Sequence, residues 1–420
     1  MSAATERGVK RITLVIPATS AKLAPLYLGV FFVGACLALL ANYLAPGFSF
    51  KGQSWSVIVP WVGFLVSLFL WFLYRPLGAW SPLFKWLLAS LFIYWIVAVF
   101  TSRIGGDALN YTALLTPLVL LMTFLKPFDR SEAIRNLDIA AWSLILSAII
   151  AQLFVAVDLV NPRLDFSLRF PFLPVLGIDY RWEGPFGNVN YSGPLGAFLL
   201  VYGAGRSGWQ RWPFLLAGIS MLLTSEARGG LLAAMAGVFV LLLSQSRIGP
   251  LHFTRLTRIV VVAIFVPAAG LLALLLDPTG NGRLTIWPEF LTAWTISPLV
   301  GLSGTQINEL KDQGRFSFYS TKAHNWLIDT LVDQGLFGLS VALTVLVLSV
   351  WICFRASNGV RAITISLIIT SLVSRLSEQH FTGSYLNLQY LLMVSVLALA
   401  SAPQDKSIGR TGSGVWVGDI

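Results

Sequence analysis

The chain has 420 residues, of which 56% are hydrophobic and 11% are charged, and its formal net charge is +10. About a quarter of the residues in soluble domains are charged, and a soluble fold of this length could not bury so much apolar surface. The composition predicts an integral membrane protein and argues against a disordered chain, a disulfide scaffold or a nucleic-acid binder. The two cysteines, Cys36 and Cys353, lie in apolar runs, which indicates small buried hydrophobic side chains.

Apolar stretches long enough to cross a membrane recur along the whole chain. A helix needs roughly 20 apolar residues to cross about 30 Å of hydrocarbon. The pattern predicts an all-α, polytopic fold with about 12 transmembrane helices in a single integral membrane domain, residues 1–420. In chain order the predicted spans are 24–45, 55–74, 83–101, 111–127, 138–159, 191–205, 211–225, 229–246, 259–276, 335–354, 360–377 and 385–401.

The distribution of Lys and Arg predicts the orientation of these spans. With both termini in the cytoplasm, the cytoplasmic segments hold 18 of the 29 cationic residues. Seven of the other 11 lie in two long outer loops, 160–190 and 277–324, so the short outer loops hold only four. This is a strong positive-inside bias, and it accounts for most of the net charge. The aromatic residues of the two long loops predict structured caps at the membrane surface.

Four arginines lie on the predicted outer side, beside span ends or loop edges: Arg181, Arg228, Arg283 and Arg375. A guanidinium group offers a planar fork of donors that matches phosphate oxygens, and it stays charged at any relevant pH. A group of arginines at the outer interface would suit a lipid-linked diphosphate. The alternative for each arginine is contact with lipid head groups or an ion pair with a nearby glutamate.

Histidine is scarce, and two of the three histidines lie on the outer side. His324 stands with Asn325 at the start of a predicted helical region, and His380 follows Arg375 by five residues. Imidazole can accept a proton near neutral pH, as a sugar hydroxyl requires when it attacks an anomeric carbon. We therefore consider His324 a candidate catalytic residue, with His380 as a second candidate. The alternative is an interfacial histidine that only caps a helix or titrates.

Motifs for other chemistries are absent from the sequence. It contains no H-E-x-x-H, C-x-x-C, phosphate-binding G-x-x-x-x-G-K-[ST] or G-x-S-x-G. No His, Cys or carboxylate set has the spacing of a zinc or magnesium site, so we expect an enzyme without metal or cofactor. A transporter or flippase is the alternative from another class. It is disfavoured because the spans hold almost no acidic residues and no repeated halves with broken helices.

Four motifs follow one another between residues 181 and 338. They are R-x-x-G-x-x-G-N-x-N at 181–190, A-R-G-G-L-L at 227–232, Gly282-Arg283 with Trp287 and then P-L-V-G-L-S-G at 298–304, and H-N, nine residues, G-L-F-G at 324–338. In this order they resemble motifs of the O-antigen ligase family, which shares its core with Wzy-type polysaccharide polymerases and bacterial protein O-oligosaccharyltransferases. Val189 and Ala227 stand where the family usually has Pro and Ser. The lack of a large C-terminal periplasmic extension argues against the protein-glycosylating branch.

The resemblance implies a metal-independent, inverting glycosyltransferase of the GT-C type in a bacterial inner membrane, with a periplasmic active site. Such an enzyme transfers O-antigen polysaccharide from undecaprenyl diphosphate to the lipid A-core and uses no nucleotide or nucleic acid. The alternative is a Wzy-type polymerase, whose acceptor is another lipid-linked repeat. Carried over by position, the family's site comprises His324 as catalytic residue, Arg181, Arg228 and Arg283 as ligands of the diphosphate, and Asn190, Asn325, Arg375 and His380 as further orienting or binding candidates.

Overall fold

The computed structural model describes residues 23–44, 49–50, 53–74, 79–104, 115–157, 159, 164–165, 181–182, 184–186, 189–225, 227–245, 283–315, 323–377 and 388–402. Within these ranges the chain forms α-helices α1 (Tyr27–Leu44), α2 (Trp55–Leu73), α3 (Pro82–Ile104), α4 (Leu115–Leu125), α5 (Arg130–Ala156), α6 (Val189–Ala204), α7 (Arg211–Ser225), α8 (Arg228–Gln245), α9 (Arg283–Trp294), α10 (Gly304–Asp312), α11 (Trp326–Arg355), α12 (Asn358–Ser377) and α13 (Leu388–Ser401). Short 3-10 helices occur at Ala24–Leu26 and Gly184–Phe186.

Extended structure in the same ranges is limited to two antiparallel pairs of two-residue strands. Strand β1 (Ser49–Phe50) pairs with β2 (Gln53–Ser54), and β3 (Leu164–Asp165) pairs with β4 (Arg181–Trp182). The second pair places Asp165 opposite Arg181 in the backbone register. The predicted all-α class is confirmed, since these strands are too short to form a sheet-based core.

The predicted spans coincide with helices wherever the structure describes them; span 259–276 lies outside the described residues. Three helices, α1, α5 and α11, are long and apolar enough to cross a membrane, and five others contain shorter apolar stretches. The chain is therefore an integral membrane protein. Cys36 and Cys353 are free and buried, as predicted.

Most helices share one apolar core, in which small residues allow close helix packing. A Cβ atom at Gly34 of α1 would lie 2.9 Å from the Cα atom of Gly63 in α2. Likewise, a Cβ atom at Gly230 of α8 would lie 2.6 Å from the carbonyl carbon of Gly193 in α6. Glycine at such contacts lets membrane helices approach at backbone distance.

One corner of this main core, which we call the Asp129 corner, comprises residues 71–74, 80 and 126–132. The rings of Tyr27 and Tyr74 both stack on Phe128, with centroid separations of 5.0 Å and 6.2 Å. Asp129 begins α5 with a capping box: its carboxylate accepts from Glu132 N at 2.8 Å, and Asp129 N donates to the Glu132 carboxylate at 2.8 Å. The corner thus fixes the start of α5 on the main core.

A second, smaller apolar cluster lies apart from the main core. It consists of side chains from α9, the loop after it, α10 and the start of α11, namely Ile286, Phe290, Ala293, Leu302, Ile307, Ala323 and Val332. We call residues 283–315 and 323–338, which surround this cluster, the His324 segment. Helices α9 and α10 therefore give defined structure to the predicted loop 277–324.

Candidate functional site

The helix that follows His324 is broken at Gly335. This residue has φ 65° and ψ −165°, a conformation that is essentially restricted to glycine, inside the α11 helix. Residues 298–300 dock at the break: Leu336 N donates to Pro298 O at 2.8 Å, and Phe337 N donates to Leu299 O at 3.3 Å. A Cβ atom at Gly335 would lie 2.5 Å from Val300 N. The glycine is therefore required both by its backbone angles and by the docked loop.

The same loop supplies a second glycine to this junction. Gly301 has φ 79°, and a Cβ atom there would lie 2.6 Å from Asp333 O. The next residue, Leu302, donates its backbone N–H to Val332 O at 2.6 Å. The P-L-V-G and H-N…G-L-F-G motifs thus interlock through their backbones, which explains why each carries glycine at the contact.

His324 itself has an unusual backbone. Its φ of 53° makes it the one non-glycine residue in the left-handed region within the described ranges. That conformation costs an L-residue roughly 1–2 kcal/mol. Such strain persists only when the surroundings impose it, and it tends to occur at functional sites. The side chain of His324 is half-buried.

The residues on both sides of His324 are held by hydrogen bonds from two side chains. The buried carboxylate of Asp329 accepts from Ala323 N at 2.7 Å and from Asn325 N at 3.3 Å. The indole N–H of Trp287 in α9 donates to Ala323 O at 2.9 Å. Asp329 was not among the predicted site residues. Its position, as an acidic residue in the first turn of the helix after His324, could have indicated it.

Asn325 is the N-cap of α11. Its side-chain oxygen accepts from Leu327 N at 3.0 Å and from Ile328 N at 3.3 Å. The hydroxyl of Tyr94 in α3 contacts the first turns of the same helix. It lies 3.1 Å from the Thr330 hydroxyl and accepts from the Trp326 indole N–H at 3.3 Å. The cap and these polar contacts attach the start of α11 to α3.

The turn that carries Arg228 packs against the first turns of α6. Arg228 begins α8 immediately after Ala227, and Gly230 lies against Gly193, three residues beyond the end of the first arginine motif at Asn190. Arg181 lies in β4 and Arg283 begins α9. The side chains of these three arginines, and all of His380, lie outside the described part of the chain. The structure therefore places the start of α8 beside the start of α6 but gives no distance from these guanidinium groups to His324.

Arg375 is deeply buried between α12 and α13. Its side chain is 0% exposed, and its Nη1 donates to the sulfur of Met393 at 3.3 Å. A cavity lined by side chains of α12 and α13, among them Ser374, Gln389 and Met393, has a volume of about 20 Å³, which is enough for a water molecule. Arg375 was predicted on the outer side of the membrane, and in the structure α13 packs over its side chain. Its predicted contact with substrate stays a prediction.

Metal-ligating side chains do not converge in this part of the chain. Among the residues that the structure describes, no group of three or more His, Cys, Asp or Glu side chains could hold a metal ion. The polar groups around His324 are instead used for hydrogen bonds to the backbone. These hydrogen bonds fix the backbone on both sides of His324.

Comparison with known proteins addresses the family to which the chain is similar. Residues 213–343 match a protein-family model described as O-Antigen ligase. The matched region contains the A-R-G-G turn, the 298–304 motif and the His324 motif, so the predicted resemblance to this family is confirmed. No curated protein matches the chain.

Proposed function

We propose that this chain, with its O-antigen ligase family region at 213–343, is an O-antigen ligase. It would transfer O-antigen polysaccharide from undecaprenyl diphosphate to a sugar of the lipid A-core, with inversion at the anomeric carbon and without a metal. The observation that carries the proposal is His324, held in a strained conformation within a segment whose two family motifs interlock at residues 298–302 and 332–337. A polysaccharide polymerase shares these motifs and differs in its acceptor.

In the proposed reaction, His324 accepts the proton of the acceptor hydroxyl as the hydroxyl oxygen attacks the anomeric carbon. The bond from that carbon to the diphosphate oxygen breaks, and undecaprenyl diphosphate leaves with the bonding electrons. Negative charge grows on the leaving diphosphate as the bond breaks. Cations placed there stabilise the transition state more than the ground state.

We assign the cations to Arg181, Arg228 and Arg283. The close contact of Gly193 with Gly230 supports the assignment of Arg228, because it packs the start of α8 against the start of α6, the helix that follows the Arg181 motif. Asn190 and Asn325 are proposed to orient sugar hydroxyls or the imidazole. Arg375 and His380 are further binding candidates.

The proposed topology has about 12 spans in one domain, residues 1–420, of the GT-C type. Both termini would lie in the cytoplasm, and loops 160–190 and 277–324 would lie in the periplasm of a bacterium, outside its inner membrane. The helical structure of α9 and α10 supports a folded periplasmic cap. The family-like core, residues 181–338, would place the site at that face.

Complementation tests the proposed acceptor. We expect this gene to restore long-chain lipopolysaccharide in a strain that lacks its O-antigen ligase, and not to restore chain length in a polymerase-deficient strain. The reverse result would identify a polymerase. Restoration in neither strain, with accumulation of lipid-linked glycan on one side of the membrane, would favour a transporter.

The catalytic assignment is tested by His324→Ala in a purified assay with lipid-linked donor and rough lipopolysaccharide. Removing a general base lowers rates by about 10²–10⁴-fold, so transfer should fall at least to that extent. Glu309→Ala, an exposed change in the same segment, is the matched control and should retain full activity. Undiminished transfer by inserted, folded His324→Ala would refute the assignment.

The arginine assignment is tested by Arg228→Ala and Arg228→Lys. Alanine should weaken use of the donor, and lysine should restore only part of the loss because an ammonium group lacks the planar fork. The measurement is the donor concentration dependence of transfer. Full rescue by lysine would argue against two-point contact with phosphate oxygens.

A further inference from the structure

We infer that Asp329 is a positioning residue that, together with Trp287, sets the direction of the His324 side chain. The inference rests on the proposed catalytic role of His324. Asp329 is thereby distinguished from the other polar side chains at the start of α11 by its effect on His324.

The two peptide planes that flank His324 are each held by a side chain. A peptide unit is planar, so fixing its N–H or C=O fixes the whole plane. Trp287 holds the carbonyl of Ala323, which belongs to the peptide that precedes the Cα atom of His324. Asp329 holds the N–H of Asn325, which belongs to the peptide that follows it. The relative orientation of these planes is the φ and ψ of His324.

The carboxylate of Asp329 makes a second hydrogen bond. It accepts from Ala323 N at 2.7 Å, and this N–H belongs to the peptide before the one that joins Ala323 to His324. The two oxygens of one rigid carboxylate therefore hold the residues before and after His324 at the same time. The direction of the Cα–Cβ bond of His324 cannot change unless one of these hydrogen bonds breaks.

Asp329 does more than cap α11. Its bond from Asn325 N resembles one half of a capping box, but its shorter bond comes from Ala323 N, two residues before the N-cap. Asn325 already caps α11 through Leu327 N and Ile328 N. Asp329 is 1% exposed, and a buried carboxylate is costly unless hydrogen bonds satisfy it. Here the carboxylate makes charge-assisted bonds to N–H groups beside His324, which are stronger than neutral ones. Those bonds stabilise the left-handed conformation that His324 would otherwise avoid.

A fixed imidazole matters for the reaction because proton transfer requires a defined approach to the hydroxyl. A displacement of about 1 Å at a reacting group can cost about a hundredfold in rate. Loosening the two peptide planes would allow His324 to relax towards ordinary backbone angles and would move its ring. Donor binding by arginines elsewhere would be unaffected.

The test compares Asp329→Asn with two variants in the same segment, with kcat measured per folded, inserted molecule. Asparagine keeps the size of the side chain but replaces one acceptor with a donor group. We expect kcat to fall by about ten- to a hundredfold with an unchanged KM for the lipid-linked donor. Ser303→Ala removes a helix cap from α10 without touching residues 323–325, so it should lower the local stability of α10 and keep kcat.

Trp287→Phe provides an independent measurement if Asp329→Asn does not fold. Phenylalanine keeps an aromatic ring against the small apolar cluster but removes the bond to Ala323 O, so kcat should again fall with KM unchanged. Wild-type kcat in both variants, or an equal loss of kcat in Ser303→Ala, would overturn the inference. His324→Ala is assayed in parallel: if it retains transfer, the proposed function fails, whereas an inactive His324→Ala beside a fully active Asp329→Asn refutes only the positioning role.

Discussion

The Asp129 corner and the His324 segment both connect helices, but they use their polar groups differently. In the Asp129 corner, stacked rings of Tyr27, Tyr74 and Phe128 join the main core, and the polar contacts fasten helix ends to one another. In the His324 segment the apolar cluster is small, and hydrogen bonds fix particular backbone conformations. The difference separates a region built for packing from one built for the geometry of a single residue.

The charged groups of the two regions show the same contrast. Lys126 in the Asp129 corner donates to the carbonyls of Trp71 and Tyr74 and lies over the Trp71 ring, so it ties two chain segments together. Asp329 in the His324 segment instead holds residues that flank one histidine. Changing Lys126 should therefore alter stability, and changing Asp329 should alter activity.

The largest expected effect comes from Gly335→Ala. A Cβ atom there meets the backbone of residues 299–300, and the glycine-only backbone angles add strain. Together they should cost about 3 kcal/mol and undock the 298–302 loop, with loss of transfer. Gly314→Ala is the matched control, because Gly314 also has a positive φ of 70° but would meet nothing within 4 Å. It should cost about 1 kcal/mol and leave transfer intact. Equal effects of the two variants on transfer would contradict the docking role.

Tyr74→Phe should have the next largest effect, and on stability alone. The Tyr74 hydroxyl donates to Pro127 O at 2.6 Å and contacts the Glu132 carboxylate at 2.7 Å. Removing it takes the hydroxyl donor from the buried carbonyl of Pro127, at a cost of about 1–3 kcal/mol. Thermal unfolding should show this loss, with transfer per folded molecule unchanged. Ser90→Ala, on an exposed helix face, is the control and should change neither quantity.

Hydropathy predicted most of the fold because lipid imposes a simple rule: spanning segments must be apolar and must satisfy their own backbone hydrogen bonds. It placed the start of one span at Gly335, which is where the structure breaks helix α11. The turns before the break carry Asp329, Asp333 and Gln334, which no hydropathy window reads as membrane. Their start was predicted at His324 and Asn325, and Asn325 is the N-cap of α11.

The site was predictable only in part. Motif order indicated His324, because family motifs record residue types at fixed spacing. Its left-handed backbone and the two hydrogen bonds of Asp329 were not predicted. The acidic residue in the first turn could have drawn attention to Asp329, but its contacts are to backbone N–H groups, which do not depend on the residue type. Arg375 was expected at the outer edge because it ends an apolar run; its burial depends on the packing of α13, which a single sequence does not show.

The smallest expected effects come from two capping boxes, which compare the regions with matched chemistry. Asp129 caps α5, and Ser303 caps α10 through Gln306 N at 3.2 Å, with Ser303 N donating back to the Gln306 side chain at 2.9 Å. Each change to alanine should cost about 1 kcal/mol. Because α5 belongs to the main core and α10 to the separate small cluster, the two losses should be seen in different measurements. Asp129→Ala should lower the global unfolding temperature, whereas Ser303→Ala should speed amide exchange within residues 283–315 and barely change global unfolding. A global loss from both would show that the two regions unfold as one unit, and would remove the distinction between a packing region and a site region.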